Sequence, residues 1–110
     1  MTHLDLSRLA AIAQTRDTLQ AAARKANDAA DELHNERCKI INEIDYLKAS
    51  HPGSMNAADE KNKMLGRLAT RRDLLNAKIK EARAIKDDAD EKALAAVRLV
   101  EECEKFARSV

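Results

Sequence analysis

Apolar residues recur along this chain in alternating steps of three and four, through two long stretches with one break between them. In the first, positions 9, 12, 16, 19, 23, 26, 30, 33, 37, 40, 44 and 47 read Leu, Ile, Arg, Leu, Ala, Ala, Ala, Leu, Arg, Ile, Ile, Leu. Arg16 and Arg37 are the only interruptions. In the second, positions 65, 68, 72, 75, 79, 82, 86, 89, 93, 96, 100, 103, 107 and 110 are all apolar except Arg72 and Lys86. Steps of three and four mark one face of a helix, and sustained over many heptads they describe a coiled-coil seam. The pattern predicts one helix over about 5–49, a turn over about 50–55 and a second helix over about 55–109. The fold class is therefore all-α, an antiparallel two-helix coiled-coil hairpin forming a single unit over 1–110.

The break is the segment KASHPGSMNAAD, residues 48–59. Pro52 cannot continue a helix and disfavours helical geometry at His51. Pro52-Gly53 offers the residues of a type II turn, with Gly53 taking positive φ. Ser54 or Asn56 can cap the second helix, with Asp59 and Glu60 near the positive end of its dipole. A tight turn centred here makes the numbers of facing residues sum to about 105, placing Ile40 by Leu65 and Ala30 by Leu75. In that register the second helix outruns the first at the chain termini. A rival register summing to 112 brings Glu43 near Arg71 and Glu36 near Lys78, but needs a long loop or a helical overhang at the turn. The tight turn is the expectation, because long structureless loops are uncommon and exposed ion pairs contribute little.

The middle of the seam is alanine: Ala23, Ala26 and Ala30 on one side, Ala82, Ala89, Ala93 and Ala96 on the other. Each buries little area, so a lone hairpin has a thin core and needs further burial. Near the termini, Leu4 and Leu6 on the first helix and Leu94, Val97, Leu99, Val100 and Phe106 on the second exceed what one stripe can absorb. A helix apolar on more than one side is contacted on more than one side. These seven residues are the predicted interface for a protein partner or a second copy, and a homodimer of four-helix type is the expected assembly.

Composition sharpens this picture. Charged residues make up 35% of the chain, aromatics 2%, and Ala, Leu, Glu, Asp, Lys and Arg dominate, as in long helices. With 20 basic and 19 acidic residues the net charge is +1, which gives no strong pull toward nucleic acid or anionic membrane. No apolar run is long enough to cross a bilayer and the N-terminal stretch lacks a signal-peptide pattern. Two cysteines fit a reducing compartment, so the expected location is cytoplasmic, or the host cytoplasm if the chain comes from a phage.

Candidate chemistry is sparse. His34 and Cys38 share a helix face, with Asp31 three residues before the histidine, but a metal site needs about four converging ligands. No cofactor is implied. Cys38 lacks an evident activating acid or base, and Cys103 on the seam reads as a small hydrophobe. Gly66 interrupts the second helix and raises the question of a close backbone approach. Residues 67–86 are basic, and Arg67, Arg71, Lys78 and Arg83 are the candidate contacts of an alternative, nucleic-acid-binding reading. Acidic residues over 27–45 offer a simpler account, charge pairing between the helices. With no phosphate loop or catalytic triad in the chain, the expectation is a non-enzymatic protein–protein interaction module. An adaptor, assembly factor, chaperone or small inhibitor of a host complex would look like this.

Overall fold

A computed structural model describes residues 3–109, with side chains for residues 6–109. Helix α1 spans His3–Ala49 and helix α2 spans Met55–Ser109, and the two pack against each other as an all-helical hairpin. Every seam position named above whose side chain is described is buried or half-buried, on both helices. The heptad pattern thus marks the contact face along both elements.

The hairpin divides into two compact units. The turn-end unit contains residues 29–82, and the terminal unit contains residues 1–28 and 83–110. In the turn-end unit Ile40, Ile44, Leu68 and Leu75 form a buried cluster, with Leu33, Leu47 and Leu65 packed against it. In the terminal unit the buried side chains are Ala23, Ala93, Ala96 and Val100.

The register differs from the tight-turn expectation. In the terminal unit the Asn27 amide donates to Asp90 Oδ1 at 3.0 Å, a flank pair whose numbers sum to 117. At a seam sum of 105, Asp90 would lie about twelve residues, or roughly 18 Å, from the position facing Asn27. In the turn-end unit Glu43 and Arg71 line one groove, and Glu36 and Lys78 line another. The turn-end placements belong to a seam whose facing residues sum to about 112, and the Asn27–Asp90 pair excludes the sum of 105 in the terminal unit. The offset is supplied by a helical overhang: the first two turns of α2 extend past the end of α1. There, Lys61 Nζ donates to the carbonyls of Ser50 at 2.7 Å and Lys48 at 3.5 Å, so a cation sits on the C-terminal carbonyls of α1. The projecting C-terminal turns followed from the tight register, which the Asn27–Asp90 contact excludes.

Size matching explains the choice. The sum of 105 sets alanines against leucines and isoleucines, as in Ala30 by Leu75. The sum of 112 sets Ile44 level with Leu68 and Leu47 level with Leu65, and leaves alanine level with alanine at Ala30 and Ala82. In the turn-end unit, pairing large with large buries more apolar area, whereas the same sum sets Leu19 of the terminal unit level with Ala93.

The turn also departs from type II geometry, since Gly53 does not adopt positive φ. Ser50 closes α1, its N–H and hydroxyl both bonding the Leu47 carbonyl. Ser54 is the N-cap of α2: its Oγ accepts from the Ala57 N–H at 3.1 Å. The first turn of α2 holds no acidic residue, so Asp59 and Glu60 fall in the second.

Candidate functional site

Two of the four charged residues on the seam, Arg16 and Arg72, find partners along their own helix. Arg16 reaches Asp17 at 3.1 Å and Arg72 reaches Asp73 at 3.4 Å, each guanidinium leaving the seam for the neighbouring carboxylate. Arg37 is followed by Cys38 instead of an acid, and its Nε is buried without a hydrogen-bond partner. The side-chain ion pairs among the described residues all lie within one helix, so the basic span of α2 and the acidic span of α1 form no direct interhelix salt bridge.

The residues predicted to associate do not form one patch. Val100 is 1% exposed and lies inside the hairpin, which removes it from any outer surface. Its place on the seam explains this. Helix geometry turns about 100° per residue, so Val97 and Leu94 fall on one side of buried Val100, while Leu99 and Phe106 fall on the other. Leu6 stands three residues before seam residue Leu9, as Val97 stands before Val100, and joins the Val97 side. Leu4 lies outside the residues whose side chains are described. Leu6, Leu94, Leu99 and Phe106 are exposed and Val97 is half-buried.

Sequence reading missed Ile85, 63% exposed, which precedes Leu99 by fourteen residues and Phe106 by twenty-one. Those are whole heptads, so Ile85, Leu99 and Phe106 share one flank of α2 in the terminal unit. The repeat was available in the sequence as a second seven-residue spacing beside the seam.

The turn-end unit holds a feature that sequence did not reveal. A groove of about 670 Å³ lies between α1 and α2, floored by Leu47 and Leu68, with Tyr46 and Met64 at its lips and Glu43, Arg67 and Arg71 around them. Tyr46 is 76% exposed although it is the only tyrosine of the chain. A second depression beside it is lined by Glu36, Arg71, Leu74, Leu75 and Lys78. Of the basic residues proposed for nucleic acid, Arg67, Arg71 and Lys78 share this flank. Arg83 falls in the other unit and is exposed. The expected spread of basic residues round the helix is thus partly replaced by a one-sided grouping.

His34 and Cys38 meet on an exposed face, Nε2 to Sγ at 3.8 Å, and both cysteines are free thiols. Among the described residues no three His, Cys, Asp or Glu side chains gather as a metal-binding group, and no helix is long and apolar enough to cross a membrane. Gly66 has open space where a Cβ would stand, so no other part of the chain approaches its backbone there. Comparison with protein-family models, curated proteins and solved structures found no match.

Proposed function

We propose that this protein is a non-enzymatic protein–protein interaction module, an adaptor, assembly factor, chaperone or inhibitor, that docks a partner through outer helical faces and self-associates as a four-helix homodimer. One observation carries the reading. The terminal unit buries Ala23, Ala93, Ala96 and Val100 while exposing Leu6, Ile85, Leu94, Leu99 and Phe106. Five large apolar side chains of this unit thus stand in water, while Leu9, Ile12 and Leu19 on its seam are only half-buried. Folding alone leaves that surface in water, whereas docking removes it at roughly 25 cal/mol per Å².

The test is capture from native cell extract on the immobilised chain, with the Leu99→Glu/Phe106→Glu variant as paired bait. Neither residue is buried in the hairpin, so helicity should persist in the variant. A protein retained by the wild-type chain and lost from the variant supports the reading. Material that is nuclease-sensitive and released steeply by salt would replace it with nucleic-acid binding.

A further inference from the structure

The geometry points to a second copy of this chain as the occupant of the turn-end groove. The inference rests on the homodimeric part of the proposed function and adds where the copies meet and how they are oriented. The groove offers an apolar strip, with Leu47 and Leu68 beneath and Tyr46 and Met64 standing clear. Charge lining the two grooves is sorted by helix. The charged lining residues from α1 are Glu36 and Glu43, and those from α2 are Arg67, Arg71 and Lys78. None of these five forms an ion pair among the described residues, so each charge is available to a partner.

A two-fold interface uses one surface twice, so that surface must complement itself. Two arrangements lay this flank on its copy. An axis across the groove sets α1 on α1 and α2 on α2, which brings carboxylate to carboxylate and guanidinium to guanidinium. An axis along the groove sets α1 of each copy on α2 of the other, with both turns at the same end. Glu43 then faces Arg71 of the second copy, and Glu36 faces its Lys78, each contact occurring twice. Like charges juxtaposed at an interface oppose binding and opposite charges fix its register, so the charge pattern selects the second arrangement. A four-helix assembly with its two turns side by side is the result.

Sedimentation equilibrium at micromolar concentration tests this with paired charge variants. The wild-type chain should sediment at twice 12.2 kDa. Glu43→Arg alone and Arg71→Glu alone should each weaken association by about tenfold or more, with helix content by circular dichroism unchanged. Mixing the two variants should restore the dimer, because one side of the mixed pair keeps the Glu43–Arg71 contact and the other carries it reversed. Damage to the individual hairpins would not be repaired by mixing. A dimer that survives both charge variants but is lost in Leu99→Glu/Phe106→Glu overturns this surface and leaves the interaction reading standing. A wild-type chain that remains at 12.2 kDa overturns the inference and the homodimer together, and the capture experiment still judges partner docking separately.

Discussion

In the turn-end unit the seam closes over Ile40, Ile44, Leu68 and Leu75, whereas in the terminal unit the buried residues are Ala23, Ala93, Ala96 and Val100. Both units follow one heptad pattern, so position along the seam does not distinguish them. Side-chain size does. A fully buried leucine or isoleucine contributes about 1.5–3 kcal/mol, while an alanine methyl contributes about one carbon's share. The turn-end unit therefore holds itself together and leaves an apolar groove on one flank. The terminal unit buries smaller side chains, and Leu9, Ile12 and Leu19 on its seam are only half-buried. Pattern specifies direction, but only volume decides whether a hairpin suffices as its own core.

The largest effect should come from emptying the stronger core. Ile40→Ala should cost about 2–5 kcal/mol, read as a lowered midpoint in thermal or urea unfolding. Val100→Ala, at a site as buried but removing only two methyl groups, should cost less, on the order of 1–2 kcal/mol. Equal costs would break the comparison. Amide exchange sharpens it further, since the segments around Ile40 and Leu75 should exchange more slowly than those around Leu19 and Ala93.

Arg37→Leu acts on a buried side-chain nitrogen of the turn-end unit that has no partner among the described residues. Removing a buried, unsatisfied donor and adding apolar contact should stabilise the chain by about 1–3 kcal/mol. Loss of stability would mean that Arg37 is satisfied in the assembled state, and a shift of the effect with protein concentration would expose that. Gly66→Ala should give the smallest change, a gain of up to about 1 kcal/mol from helix propensity, because space for the methyl is open. Destabilisation that grows with concentration would show a partner backbone lying against Gly66.

Much of the fold was legible in the residues themselves. Leu9 through Leu47 and Leu65 through Ala107 announced the buried face of each helix, and Pro52 announced where the chain turns. The split of the predicted interface was legible too, since Leu99 and Val97 flank seam residue Val100 on opposite sides by helix geometry alone. Heptad position, more than nearness to the termini, carries that information. The turn-end groove was not legible in the same way. Tyr46 and Met64 are eighteen residues apart in sequence, and only the register brings them to one groove.

That register separates what the chain determines from what packing decides. A heptad pattern is unchanged when one helix slides by seven residues, so the sums 105 and 112 place the same seam positions face to face. The sequence pattern alone fixes the helices, their buried faces and the turn. It is blind to a slide by its own period. Tertiary structure lifts the degeneracy through terms the pattern does not contain: large side chains level with large in the turn-end unit, the Asn27–Asp90 bond that excludes the sum of 105, and Lys61 seated on the open carbonyls at the end of α1. With that slide settled, the overhang lies at the turn and Tyr46 meets Met64 beside Glu43 and Arg71.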